Sequence, residues 1–236
     1  MKKKIISLVL GMLICVGFCS CGSKKATEGL EFTLEDGTYI VTSYTGEDVN
    51  AVIPDTHNDI PVTVIAEDCF EESEIQTIDI GENIEIIEDG AFAYSTVLKE
   101  VHIPKSVKTI GVQDHEVGSG AFEGCINLKT VTFEKNSELE RIGASTFDGC
   151  ENLSEIEIPE SVTYIGRHAF AYCVSIESID ISENVSYVGS GAFIDFTNEQ
   201  TINVFGSTDG WMNTMSYGGI LDQRWNGFCE AIINYK

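Results

Sequence analysis

The sequence predicts a solenoid of about six stacked coils, mainly parallel β-strands joined by short helical turns, with a cap at each end. Three features that recur together predict it. A Phe stands in an Ala-Phe, Cys-Phe or Thr-Phe pair, a β-branched apolar residue precedes it, and another follows it. The Phe positions are 22, 30, 25, 23 and 23 residues apart, at Phe70, Phe92, Phe122, Phe147, Phe170 and Phe193. Recurrence at such a period is typical of repeat architectures.

The clearest unit spans residues 158–181 and reads IPESVTYIGRHAFAYCVSIESIDI. Its last part alternates apolar and polar residues, which is the spacing of a strand with one buried face. Pro159 follows a strand, a place that suits a residue without an N–H group. A second short apolar run ends at Gly166, where a permissive backbone would help the chain to turn. The Ala-Phe segment then forms a turn that directs Phe170 inward.

A single coil cannot be stable alone, because it buries too little apolar surface to offset the entropy of ordering its residues. Stacked coils cover each other's faces and pair their strands into a parallel sheet. Stability then comes from the contacts between neighbouring coils, and both ends need caps. The period of about 23 residues lies within the range of leucine-rich repeats.

The repeated pattern L-x-x-[VI]-x-[IF]-P-x-x-V-x-x-I-G-x-x-A-F-x-x-C covers about residues 31–205 and resembles the BspA-like leucine-rich repeats of bacterial surface proteins. The opening segments EFTLEDGTYIVTSYTG and VIPDTHNDIPVTVIAEDCF also resemble the usual entry into such arrays. The resemblance implies a right-handed leucine-rich repeat solenoid that is displayed outside the cell. It further implies binding to proteins or host surfaces, and it does not imply catalysis.

Residues 1–20 read as a signal peptide, with three lysines followed by an apolar run that is short for a membrane span. The sequence FCSC followed by Gly22 resembles a bacterial lipobox with Cys21 as the lipidated residue, and the alternative is a plain cleaved signal peptide. We therefore expect residues 21–30 to be the lipidated Cys and a tether. The protein would be anchored at the extracellular face of the bacterial envelope, touching the membrane only through its lipid.

Alternating residues in 31–52, with a turn at Gly37, predict the strands of an N-terminal cap. The repeats fill residues 53–205, and a seven-residue insertion at 112–118 interrupts the third copy. This insertion reads as a solvated loop or, alternatively, as a metal site; Asp114, His115 and Glu116 would be its ligands.

Residues 206–236 are expected to form a C-terminal cap with a last strand at 230–235. Alternatively, Trp211 and Trp225 would build an aromatic platform for a ligand.

The chain has 14 basic and 38 acidic residues and a net charge of −24. Loss of the three signal-peptide lysines would bring the charge near −27. This balance excludes nucleic acid as an expected partner and disfavours anionic lipids and glycans. It favours cationic proteins or bridging divalent cations, although a plain role in solubility explains it as well. We expect a monomer.

Cys125, Cys150 and Cys173 each stand three residues after a Phe and should form a column in the stack. Side chains in such a column point in parallel, so we expect free thiols rather than disulfides or a metal site. Cys69 is expected in the core, and Cys229 has no assigned role.

The exposed positions of the long strands predict a flat acidic and polar surface, here called the strand face. One column along it consists of Thr77, Glu100, Thr130, Glu155 and Ser178. The neighbouring column consists of Asp79, His102, Thr132, Glu157 and Asp180. We interpret this surface as the binding site, while the alternative is the ordinary solvated side of a sheet.

The sequence contains no nucleophile motif around its four His residues, no P-loop, no dinucleotide fingerprint, and no zinc or calcium pattern. We expect no catalysis, no cofactor and no metal. The predicted function is that of an adhesin-like surface module that binds an extracellular or host protein. The alternative is a structural or glycan-capturing accessory lipoprotein of the cell envelope.

Overall fold

The computed structural model describes residues 24–111, 119–205, 229 and 231–236. Each coil contributes one strand to each of two strand columns and a turn that contains the recurring Phe. The predicted fold class is confirmed: this is a leucine-rich repeat solenoid with mostly parallel strands.

The first column, here called the short-strand column, is a nine-stranded sheet with the order β1-β2-β5-β7-β9-β11-β13-β15, while β4 pairs only with β5. The β1–β2 hairpin and the β4–β5 pair are antiparallel, and every later pair is parallel. The strands are β1 (Leu30–Glu35), β2 (Thr38–Tyr44), β4 (Thr56–His57), β5 (Ile60–Ile65), β7 (Ile86–Ile87), β9 (Thr109–Ile110), β11 (Arg141–Ile142), β13 (Tyr164–Ile165) and β15 (Tyr187–Val188).

The second column, here called the long-strand column, consists of two parallel sheets with the orders β12-β10-β8-β6-β3 and β14-β16-β17. Its strands alternate outward polar and inward apolar residues, as the sequence predicts. They are β3 (Asn50–Val52), β6 (Thr77–Asp79), β8 (Glu100–Ile103), β10 (Thr130–Phe133), β12 (Glu155–Ile156), β14 (Ser178–Ile181), β16 (Thr201–Val204) and β17 (Ile232–Tyr235).

The recurring Phe side chains form one continuous interior column, as the sequence predicts. Successive ring centroids are 5.0, 4.9, 5.6, 5.5 and 5.6 Å apart from Phe70 to Phe193. Tyr44 extends the stack at one end and Phe196 closes it edge-on at the other. The coils therefore share a single core, which includes the inward apolar residues of both strand columns.

The segments around each Phe are hydrogen-bonded turns, and no helix occurs among the described residues, so the expectation of helical turns is wrong. In each coil the residue two positions after the Phe has a positive φ, from 54° at Glu72 to 71° at Gly149. A left-handed residue ends any helix at that point. The turn backbone instead bonds to the next coil, for example from Phe70 N to Ala91 O at 2.7 Å.

Three of the four glycines that follow the short strands are needed for a reason other than the predicted one. Gly143, Gly166 and Gly189 do not have positive φ, whereas Gly111 does. A Cβ atom on any of these three would overlap backbone atoms of the preceding coil. Close backbone stacking therefore selects glycine at these places.

The long-strand column is interrupted between β12 and β14, which no backbone hydrogen bond joins. The Phe rings of these two coils, Phe147 and Phe170, are tilted by 22°, whereas the other parallel pairs of the Phe column are tilted by 3° to 9°. The short strands of the same coils, β11 and β13, remain paired. The two coils therefore diverge on the long-strand side.

The predicted column of free thiols is confirmed. Cys125, Cys150 and Cys173 are fully buried, and each Sγ donates to the carbonyl of a Phe in the preceding coil at 3.1–3.2 Å. Burial raises the pKa of the Cys125 thiol to about 12 and raises those of the other two as well. Ser95 occupies the same position one coil earlier and donates to the Phe70 carbonyl.

Both ends of the described array contain predicted strands. The hairpin turns at Asp36 and Gly37, and β17 lies within the predicted 230–235 segment. Thr27 bonds to Val52, so the segment that the sequence assigns to the tether pairs with the edge of β3. The signal peptide, Cys21, the 112–118 insertion and the two tryptophans lie outside the described residues.

Candidate functional site

The ten residues of the strand face all lie on the outward side of the long strands. Thr77 and Thr130 are partly exposed and the other eight are exposed. The alternation of the strands places them there, because the residues between them are buried, at Ile78, Val101, Val131, Ile156 and Ile179.

The first column of the strand face is held in register from β3 to β12. Thr77 pairs with Glu100, and Thr130 pairs with both Glu100 and Glu155. The Thr130 hydroxyl donates to a Glu155 carboxylate oxygen at 3.1 Å, and Lys129 Nζ lies 3.6 Å from the other. Threonine therefore alternates with glutamate along this column, which leaves the carboxylate of Glu100 exposed between two hydroxyls.

The second column is partly occupied by contacts within the protein. His102 Nδ1 and Thr132 Oγ1 are 2.9 Å apart, and Lys24 Nζ lies 2.5 Å from an Asp79 carboxylate oxygen. Glu157 follows β12 and is exposed. Lys24 comes from the predicted tether, so the N-terminal segment neutralises one end of this column.

The strand face is not one sheet, contrary to the prediction, because Ser178 and Asp180 belong to the second sheet of the long-strand column. Asp180 accepts a hydrogen bond from Asn203 Nδ2 at 2.7 Å, and Asn203 in turn lies next to Asn234. The divergence of the coils at β12 and β14 therefore divides the face into two parts.

A groove of about 890 Å³ lies at this division and joins the two parts of the strand face. It is bordered by Thr130, Thr132, Glu155, Glu157 and Ser178 of the predicted face. Glu134, Glu160 and Ser161 also line it, and the buried hydroxyl oxygen of Ser161 has no hydrogen-bond partner in the described part of the chain. The groove combines carboxylates with hydroxyl groups, which suits a cationic ligand that also donates hydrogen bonds.

The sequence pattern of the BspA type leucine rich repeat region matches six copies in this chain, over residues 38–114 and 115–213. The chain belongs to this BspA-type family. Among curated proteins, nothing matches it.

Two solved structures agree with the BspA-type assignment. The leucine rich repeat protein TpLRR of T. pallidum is 19% identical with a TM-score of 0.62, and the alignment covers 79% of this chain and 88% of that one. A leucine rich cell surface protein of Faecalibacterium prausnitzii A2-165 is 29% identical with a TM-score of 0.53, and the alignment covers 79% of this chain and 45% of that one. The first likeness shows the fold alone.

The described part of this BspA-type array holds no group of three or more His, Cys, Asp or Glu side chains placed to bind a metal ion. None of its described segments is a helix of the length and apolar character needed to span a membrane. Burial lowers the pKa of His57 and His168, and these residues lie in different coils.

Several residues of the BspA-type face were not predicted. Asn50 accepts a hydrogen bond from Thr77 and extends the first column by one coil, and Asn203 and Asn234 extend the second. Asn203 could have been predicted from the sequence, because it stands 23 positions, or one repeat, after Asp180. Glu134 and Glu160 stand just after long strands, at the corner that the proline of the repeat marks. The alternation of apolar and polar residues has ended there, so it no longer indicates which side chains point outward.

Proposed function

We propose that this protein is a lipid-anchored surface module that binds an extracellular or host protein through the strand face, without catalysis. The observation that carries the proposal is the groove at the division of the face, where residues of three successive coils converge. Family membership supports the coarser statement, because BspA-type repeats are generally protein-interaction modules of surface proteins.

The chemistry of the groove favours a cationic segment of the partner. Glu134, Glu155, Glu157 and Glu160 line it, and only Glu155 has a cation, Lys129, within ion-pair distance in the described part of the chain. A Lys or Arg side chain would find several carboxylates within one groove, and the neighbouring hydroxyls would accept its remaining hydrogen bonds. The acidic surface would also accelerate the approach of such a partner.

Anchoring at Cys21 would hold this surface at the outside of the cell as a monomer. The motif FCSC before Gly22 and the preceding apolar run support lipidation. The segment after Cys21 contacts the solenoid at Lys24 and Thr27, so the anchor would lie near the N-terminal coil and leave the groove accessible.

Charge reversal of the face tests the proposal. The probe is the extended hexapeptide Lys-Thr-Lys-Thr-Lys-Thr, and its affinity for the purified protein is measured by calorimetry at physiological salt. The triple variant Glu100→Lys, Glu155→Lys and Glu157→Lys should weaken binding by about tenfold or more, because it replaces attraction by repulsion in the groove, at Glu155 and Glu157, and on the adjoining strand face, at Glu100.

The matched control carries the same change of net charge away from the face, at Glu35, Glu71 and Glu140, which are all exposed and lie in the hairpin, in a Phe turn and just before β11 of the short-strand column. This control should bind the peptide within about twofold of the original protein, since distant surface charges are screened. Equal losses in the two triple variants, or no binding by the original protein, would exclude the strand face as the site.

A further inference from the structure

A second groove, of about 710 Å³, lies beside the strand face and has the opposite chemistry; it is here called the donor groove. It is lined by the residues that immediately precede the long strands and by residues of the loops before them. These are Gln76, Val97, Lys99, Asn127, Lys129, Asn152, Ser154 and Ser175. No lining residue is acidic, although the chain has 38 acidic residues and 14 basic ones.

Two lysines from adjacent coils line the donor groove. Lys99 and Lys129 occupy equivalent positions in adjacent coils, and Lys129 N bonds to Lys99 O at 2.8 Å. Lys129 has a weak partner in Glu155, because both side chains are more than half exposed. Among the described residues, no carboxylate lies within ion-pair distance of Lys99. The positive charge of this pair is therefore only partly neutralised.

The amides of the donor groove are held in fixed orientations. Asn127 Nδ2 donates to Thr96 O and Asn152 Nδ2 donates to Ile126 O, each at 2.7 Å. No described group donates to the Oδ1 atoms of these amides, which remain available as acceptors. The side chains of Gln76, Ser154 and Ser175 likewise make no hydrogen bond to a described residue.

We propose that the donor groove binds a short acidic oligosaccharide, with a uronic acid carboxylate between Lys99 and Lys129 and sugar hydroxyls on the amides and serines. A carboxylate alone would use only the two lysines, whereas hydroxyl groups donate to the free amide oxygens and accept from the remaining donors. The volume is within the usual range of small-ligand sites.

The surroundings of the donor groove limit the length of the ligand. Glu100 and Glu155 follow two of its lining residues in the sequence, and Glu177 takes the equivalent position two coils after Lys129. A long polyanion such as a nucleic acid would meet these carboxylates and be repelled. A short saccharide, or the end of a longer one, would stay within the uncharged and basic part.

The test measures binding of trigalacturonic acid to the purified protein by calorimetry at low and physiological salt. Binding should be detected, and Lys99→Gln should weaken it by about tenfold or more, because a charge-assisted hydrogen bond is lost. Lys105→Gln removes the same charge from an exposed position outside the groove and should leave the affinity within about twofold. The methyl ester of the saccharide should bind as weakly to the original protein as the acid binds to Lys99→Gln.

The proposal would be overturned by no binding of the acid, by equal binding of acid and ester, or by equal effects of the two lysine substitutions. Preferential binding of a glutamate tripeptide would also overturn it and would identify an acidic peptide as the ligand. The test is independent of the proposed function, since Lys99 lies outside the strand face and the groove at its division.

Discussion

Asp148 shows how the stacked turns change the chemistry of a single residue. It lies one position after Phe147, half-buried, in the same column as Glu123 of the preceding coil. Burial, together with the charge of Glu123, raises the pKa of the Asp148 carboxyl to about 6. The Ser145 hydroxyl offers only a long hydrogen bond of 3.5 Å in compensation. The ionised form is therefore less stable in the fold than in the unfolded chain.

The substitution Asp148→Asn should stabilise the protein by about 1 kcal/mol at pH 7, a value reduced for the partial exposure of the group. The folded pKa lies above the unfolded value of 3.8. The stability of the original protein should therefore fall as the pH rises from about 4 to about 6. The variant should lack that part of the pH dependence. Chemical denaturation at pH 4 and pH 7 measures both, and an equal gain at the two pH values would contradict the assignment.

At the scale of an element, the corner that follows each short strand packs against the backbone of the preceding coil. Gly143 faces Gly111 and Gly166 faces Gly143, so carbonyl and amide groups of successive coils lie where a side chain would be. Overpacking at such a contact forces the backbone to move, which costs stability. Glycine at these corners is a condition for the close stacking of coils.

The substitution Gly143→Ala should lower the free energy of unfolding by about 3 kcal/mol, because its Cβ would overlap the Gly111 carbonyl. Gly149→Ala is the matched control. A Cβ on Gly149 would make only ordinary van der Waals contacts, 3.7 Å from the Gly124 backbone, but its φ is 71°, so only conformational strain of about 1 kcal/mol is expected. Urea denaturation compares the two variants, and a larger loss for Gly149→Ala would refute the stacking explanation.

The elements also show which features the sequence can predict. The Phe column and the inward strand residues were predictable, because alternation and period determine which side chains meet. The role of Gly143 was not predictable, since a glycine in a sequence can indicate either a positive φ or a close approach of two backbone segments. The left-handed conformation of Tyr172 was not predictable either, because a bulky residue rarely adopts a φ of 58°.

The candidate binding surfaces likewise have some features that the sequence predicts and others that it does not. The outward direction of the strand-face residues was predictable from alternation. Their separation into two sheets was not, since EIEI at 155–158 and SIDI at 178–181 have the same pattern. The tilt between coils is a property of the stack and has no local signal. The donor groove was missed because a strongly negative total charge conceals a local cluster of lysines.

At the scale of the whole molecule, neighbouring coils are joined by the short strands, the long strands and the turns. The interface between the coils of Phe147 and Phe170 lacks the long-strand bonds, while the bonds of the short strands and turns remain. In a solenoid, stability is a sum over such interfaces. This interface should therefore be the weakest in the described array.

Native-state hydrogen exchange should reveal this weakness. The amides of β14 and β16 should open together at a free energy about 1 kcal/mol or more below that of β8 and β10, because fewer hydrogen bonds hold their coils to the rest. The β8–β10 pair serves as an internal control of equal strand length. A single opening energy for all four strands would disprove the weak interface.

Because the coils are evenly spaced, equivalent surface positions recur at regular intervals along the solenoid axis. Rings of successive coils are 4.9–5.6 Å apart, and every equivalent surface position advances by a comparable step. A polymer lying along the solenoid axis, with monomers of about that length, would place each monomer against the same position of the next coil. Its affinity would then increase stepwise with each monomer added, up to the coil where the matching side chain changes its charge.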